Sequence, residues 1–278
     1  MVRILSDTST LYSTEQAKQA GFNVAPLSVT IAGKTYREFD EISSKEFVSI
    51  IHQGHMPTSS QPAIGEVAAL YEQYPDDELL NISMAKGLSS TYDSAVAAKE
   101  LCDHGDRITV INSRTLCGPH RYIVEKATQM AAEGASLKEI TDRVEELMLT
   151  AKSYLIPSDF SYLRRGGRLS PLVSYVGQAV QLAPILTQTE DGCQLTMAAV
   201  RRGFKQAVTH VGKLLSERCT GSGWRIYITH ADAQQSAEQA LILLKALIPS
   251  ATFEIHPLSP VFITQGGPSC VAIQAIHE

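Results

Sequence analysis

Two short stretches gather hydroxyl groups in a chain otherwise rich in aliphatic residues. Thr58, Ser59 and Ser60 stand between prolines in "MPTSSQPAIGE" (56–66), and Ser89, Ser90 and Thr91 follow a glycine in "NISMAKGLSSTYDSA" (81–95). Each run precedes a segment that reads as a helix. The first N–H groups of a helix lack internal partners and the helix dipole makes that end electropositive, so an anion is accommodated there. With no cation inside either run, the chemistry is that of neutral O–H and N–H donors around a carboxylate or phosphate. The plainer alternative is that Ser59 and Ser89 only cap helices, worth about 1 kcal/mol each.

A third stretch, "FSYLRRGGRLSP" (160–171), sets Gly166-Gly167 among Arg164, Arg165 and Arg168. It matches neither a P-loop nor a GxGxxG pattern, so no nucleotide site is indicated. It reads either as a turn with solvated arginines or as a basic element that gates a carboxylate or docks a partner. His52 and His55 are three apart, but Gly54 and Pro57 break the helix there, and no metal site is expected. His230, after a strand in "YITHADA", either reaches the crevice or serves the fold. Asp7, at the end of the first strand, is expected to hold neighbouring loop N–H groups. There is no GxSxG elbow and no clear Ser–His–Asp spacing, so neither serine run has an evident base.

The elements that position these runs alternate. "VRIL" (2–5), "NVAPLSVTIAG" (23–33), "ELLNISM" (78–84) and "RITVINS" (107–113) read as strands. Helices are predicted at 13–21, 43–54, near 64–73, 89–102, 118–133 and 137–151. Strand–helix alternation at this spacing implies βαβ crossovers and a buried, largely parallel sheet, whose strand C-termini line a ligand crevice. The polar segment 158–171 reads as a linker or exposed loop. Beyond it, Asp191-Gly192 signals a hairpin, helices are expected near 204–217 and 233–247, and strands at 224–230, 252–258 and 270–276. The expected class is α/β in two domains. Residues 1–157 form a parallel-sheet α/β/α domain carrying the hydroxyl runs, and 158–278 an α+β domain with a mixed sheet.

The whole-chain properties narrow the partners. At 278 residues the chain is at the upper end for one hydrophobic core, which favours two domains, and 44% hydrophobic with 19% charged residues is ordinary for a globular protein. A net charge of −5 argues against nucleic acid or anionic membrane as the main partner. The five cysteines are scattered with no CxxC pair, the N-terminal segment turns polar after five residues, and no run of about eighteen apolar residues occurs. A cytoplasmic protein without a membrane span is expected.

Taken together, the motifs resemble those of the DegV family of bacterial fatty-acid-binding proteins. The resemblance runs in order through "ILSDTSTL" (4–11), "TSSQP" (58–62), "GLSSTYDSA" (87–95), "INSR" (111–114), "YLRRGGRLS" (162–170), "PILT" (184–187), "THADA" (229–233) and "SPVFITQGGP" (259–268). It implies a DegV-like two-domain fold and a lipid carrier rather than an enzyme. No cofactor or metal is implied; the ligand is a long-chain fatty acid whose carboxylate sits near the domain junction. A separate fatty acid kinase catalytic subunit is the implied partner, forming an acyl phosphate on the bound acid. By motif, the carboxylate falls to Ser59, Ser60, Ser89 and Ser90, with Gln265, His230 and Arg168 as secondary candidates. Arg201, Arg202 and Lys205 in "AAVRRGFKQA" (198–207) are the candidate kinase contact.

Three positions depart from the family pattern. Ser59 stands for a threonine, Ser90 for a glycine, and Gln265 for a histidine before Gly266-Gly267-Pro268. Glutamine donates a hydrogen bond but carries no proton, so a step needing an imidazole there is impaired. The segment "VSYVGQAVQLAPIL" (173–186) is either tunnel wall or ordinary core. The rival readings are an acyl or phosphoryl hydrolase or transferase using the same loops as an oxyanion site, and a carrier of another lipid carboxylate.

Overall fold

The computed structural model of the chain describes residues 1–173 and 182–278. Its first part runs β1 (Val2–Asp7), α1 (Thr14–Gln19), β2 (Asn23–Ala25), β3 (Ser28–Ile31), β4 (Lys34–Arg37), α2 (Ser44–His52) and β5 (Thr58–Ser60). Then come α3 (Ile64–Tyr71), β6 (Glu78–Ser83), α4 (Thr91–Lys99), β7 (Ile108–Asn112), α5 (Cys117–Ala132) and α6 (Leu137–Thr150). The rest comprises β8 (Lys152–Ile156), α7 (Phe160–Gly166), β9 (Leu182–Gln188), β10 (Leu195–Arg202), α8 (Gly203–Arg218) and β11 (Trp224–His230). It ends with α9 (Gln234–Leu247), β12 (Thr252–Pro257), α10 (Pro260–Gly266) and β13 (Val271–His277).

Strands β2-β1-β6-β7 form a parallel sheet. Apolar residues cover both of its faces, as a parallel sheet requires. Ile4, Val24 and Ile82 pack with Ile123, Val144 and Leu147 of α5 and α6 on one side. Leu5, Leu79 and Ile108 pack with Val67 and Ala98 of α3 and α4 on the other. Ser13, Ser43 and Ser136 each close a reciprocal capping box with Gln16, Glu46 and Glu139, which fixes the starts of α1, α2 and α6. The fold is α/β, with this parallel sheet and a second, mixed sheet.

The mixed sheet has the order β10-β9-β8-β13-β11-β12. One face is closed by α8 and α9 through Val208, Val211, Ala240 and Leu244 against Ile185, Ile226 and Ile273. Its strand β8 lies N-terminal to residue 158, where the sequence reading divides the chain. The start of α5 seats on this sheet because Gly118 has no side chain. A Cβ there would sit 2.1 Å from Cγ of Tyr227. The Asp191-Gly192 turn joins β9 to β10 in antiparallel register, with Gly192 at φ 71°.

Some expectations are corrected. Residues 23–33 are not one strand: Pro26 interrupts them, sending β2 into the parallel sheet and β3 into a three-stranded antiparallel sheet, β4-β3-β5. Segment 158–171 is not an exposed loop. Asp159 accepts a hydrogen bond from Ser161 N–H to start α7, Tyr162 and Leu163 are buried, and Gly167 ends the helix at φ 71°. Residues 174–181, most of the suggested tunnel wall, lie outside the described residues. No helix among the described residues is long and apolar enough to cross a membrane.

Candidate functional site

Between the two sheets lies a cavity with about 1010 Å³ of atom-free space, counting the part open to solvent. The strand C-termini of the parallel sheet and the loops after them form its roof, through Leu27, Met84, Leu88 and Leu116. The face of the mixed sheet left free by α8 and α9 forms its floor, through Leu155, Leu186 and Ala272, and α10 closes one side with Val261 and Phe262. Ser59, Ser60, Ser89, Arg168 and Gln265 all line the same cavity. Two serine turns and an oily enclosure therefore adjoin.

Neither serine acts as the simple cap considered above. Ser59 lies in β5, opposite Val29 of β3, while the N-cap of α3 is Ala63. Ser90 is the N-cap of α4 but its side chain makes no capping bond. Ser89 comes nearest to that role: its Oγ accepts from Thr91 N–H at 3.3 Å and pairs with Thr91 Oγ1 at 2.8 Å. Ser90 itself is exposed and is not among the residues lining the cavity.

What joins the two turns is a chain of contacts through α7 and α10. Gln265 Nε2 donates to Ser59 Oγ at 3.1 Å. The Gln265 carbonyl oxygen is buried without a partner among the described residues and packs on Gly166, where a Cβ would meet it at 2.0 Å. Arg168 donates from Nη1 to the Gly166 carbonyl and from Nε to the Leu88 carbonyl at 3.2 Å, next to Ser89. The β9–β10 turn presses on the same loop, since a Cβ on Gly87 would lie 2.1 Å from Cys193 Cα. Gly166→Ala is expected to dislodge the Gln265 amide and lower ligand affinity about threefold to tenfold, the worth of one displaced hydrogen bond. A titration against the parent protein, with melting curves to confirm the fold, checks this.

Buried polar groups fix the loops around the site. Asp7 accepts from Ser9 N–H at 2.9 Å and from Met84 N–H at 3.0 Å, so it holds the loop after β6 in place. Glu38 is fully buried and accepts from Thr8 Oγ1 and from Val261 N–H, at the start of α10. Burial pushes its carboxyl up to about 7, an effect that these hydrogen bonds only partly offset. Cys117 and Cys270 also face the cavity, and burial raises both thiols, Cys270 to about 12. Such thiols are poor nucleophiles.

The remaining sequence candidates lie elsewhere. His230 does not reach the cavity lining. It is buried, its Nδ1 accepts from Ala233 N–H at 3.1 Å, and desolvation lowers its basicity. Arg201 bonds the carbonyl of Val200 and the ring of His210, at the β10–α8 junction, with Arg202 and Lys205 exposed beside it. Apart from the serines, the sequence did not point to Leu27, Leu116, Phe262, Ser153 or Gln274, which line the cavity from distant segments. Among the described residues, neither Ser59 nor Ser89 hydrogen-bonds a histidine or a carboxylate, and no group of acidic, histidine and cysteine side chains suits a metal ion.

Comparison with known proteins is consistent over the whole length. The family model described as "Uncharacterised protein, DegV family" matches residues 1–278. Protein DegV of Bacillus subtilis is 29% identical over 277 residues, covering 98% of both chains. The crystal structure of DegV, a fatty acid binding protein from Bacillus subtilis, superposes with a TM-score of 0.88 at 28% identity. It covers 100% of this chain and 99% of that one. A DegV family protein from Eubacterium eligens, loaded with heptadecanoic acid, shares the fold with a TM-score of 0.86 at 18% identity, each chain being fully covered. With its parallel and mixed sheets, its serine turns and its full-length match, this chain belongs to the DegV family.

Proposed function

We propose that this protein binds a long-chain fatty acid, with the carboxylate at Ser59, Ser60 and Ser89 and the tail along Leu155, Leu186, Ala272 and Phe262. The observation that carries this reading is the convergence of the two serine turns on one apolar cavity. The similar DegV of Bacillus subtilis, a fatty acid binding protein, supports it. Arg168, whose guanidinium bridges Gly166 and Leu88, gives the head-group end its cation. Ser90, exposed and outside the cavity lining, is left out of the proposed carboxylate set.

The tail supplies most of the affinity. Each buried methylene contributes about 0.8 kcal/mol, so a sixteen-carbon chain brings roughly 10 kcal/mol before association costs. A hydrogen bond to a charged group adds about 1.5–3 kcal/mol. Ser89→Ala is therefore expected to weaken hexadecanoic acid about tenfold without changing chain-length preference, and Ser59→Ala/Ser89→Ala to weaken it further. Isothermal titration with hexadecanoic acid and its methyl ester provides the test. Unchanged affinity in the double variant, or equal affinity for the ester, removes the carboxylate assignment.

On this reading the protein is a cytoplasmic carrier without a cofactor of its own, and the chemistry belongs to a partner kinase that phosphorylates the presented carboxylate. The exposed Arg202 and Lys205, beside Arg201, are the proposed docking contact. Gln265 cannot shuttle a proton, so in this chain it serves to hold Ser59. Among the described residues neither Ser59 nor Ser89 hydrogen-bonds a base, which counts against the hydrolase reading.

A further inference from the structure

We infer that the acyl chain selected by this cavity carries a hydroxyl group, recognised by Ser153 and Gln188 on the floor. The inference rests on the fatty-acid reading above and names the ligand class within it. Ser153 of β8 lies opposite Gln274 of β13, and Gln188 of β9 lies one residue beyond the Tyr154–Thr187 pair. The three form a polar row across three strands, all lining the cavity. Leu155, paired with Ala272 and Leu186, forms the apolar row about 7 Å further along the strands. Gly266, next to Gln265, packs toward Leu155. The polar row is thus separated from the Gln265–Ser59 contact by a greasy band.

Structural needs account for only part of this row. Gln274 is fully buried and spent: Nε2 donates to the Leu116 carbonyl at 3.0 Å and to Ser153 Oγ at 2.8 Å, and Oε1 accepts from Gly118 N–H at 3.3 Å. Ser153 Oγ accepts from Gln274, but its own O–H finds no acceptor among the described residues. Gln188 donates from Nε2 to the Arg114 carbonyl at 3.1 Å, which leaves its Oε1 as an acceptor. One unspent donor and one unspent acceptor, side by side, meet the two needs of an alcohol. Both side chains are half-buried, so a plain methylene chain laid over them strips their water without satisfying either, which opposes binding.

The test titrates the full-length protein with hexadecanoic acid and with hydroxyhexadecanoic acids bearing the hydroxyl at successive mid-chain positions. At least one isomer is expected to bind about threefold to tenfold more tightly than the parent acid, the worth of a neutral hydrogen bond. In Ser153→Ala the ratio between that isomer and the parent falls to about one, and Ser153→Thr restores it. Should hexadecanoic acid bind while no isomer exceeds it, the hydroxyl inference is overturned and the carrier reading stands. If neither parent nor isomers bind, the carrier reading itself fails. The wild-type comparison decides the matter even if Ser153→Ala does not fold.

Discussion

Ala272→Phe is expected to reduce the affinity for hexadecanoic acid at least a thousandfold while leaving the mixed sheet intact. Ala272 is buried on β13, opposite Leu155, with its methyl group on the cavity side. A phenyl ring there fills space rather than displacing core, because α8 and α9 pack on the other face through Ile273 and its neighbours. Excluding about six methylenes from the cavity forfeits roughly 5 kcal/mol of transfer free energy, between three and four powers of ten in affinity. A short acid that stops before Ala272 loses less. Titration with acids of eight and sixteen carbons, with circular dichroism as the control, separates a blocked cavity from a damaged fold. Equal losses for both acids contradict the placement of the tail.

Glu38 is expected to make stability fall as pH rises from about 4.5 to about 7. Its carboxyl titrates near 4.5 in the unfolded chain and near 7 in the fold, because burial disfavours the charge. Between those values the unfolded state has released the proton and the folded state keeps it. Stability therefore declines across the window and is level above it, by about 3 kcal/mol in all. Glu38→Gln removes the titration while retaining an oxygen for Val261 N–H. The difference in urea unfolding free energy between Glu38→Gln and the parent is expected to shift by about 3 kcal/mol in the variant's favour between pH 4.5 and 7.5. A constant difference across that range shows that Glu38 does not titrate as placed. The group matters for function because it anchors the start of α10, whose last turn carries Gln265.

How much of this was legible beforehand depends on the range of the signal. The α1, α2 and α6 boundaries are written locally, in Ser-x-x-Gln/Glu boxes, and the parallel strands in short runs dominated by β-branched and aliphatic residues. Strand β5 is not. Its three residues are all hydroxyl-bearing and acquire strand character only by pairing with Ser28, Val29 and Thr30. α7 is only seven residues long, so its burial is set by its neighbours rather than by periodicity: Leu163 packs on Leu155 and Leu186 of the mixed sheet, and Tyr162 packs with Val261 and Ile263 of α10. The serine runs are visible in the sequence as hydroxyl clusters, whereas the one cavity that Ser59, Ser60 and Ser89 line is seen only in the structure. The Ser59–Gln265 bond joins residues 206 apart, and the row of Gln274, Ser153 and Gln188 spans three strands. No local pattern encodes either.

Native mass spectrometry of the freshly purified full-length protein tests the central claim most directly. The expected spectrum shows one adduct per chain with the mass of a long-chain fatty acid, diminished in Ser59→Ala/Ser89→Ala and absent in Ala272→Phe. A chain that remains free of adduct even after incubation with hexadecanoic acid contradicts the account, as does one that retains only a phosphorylated metabolite.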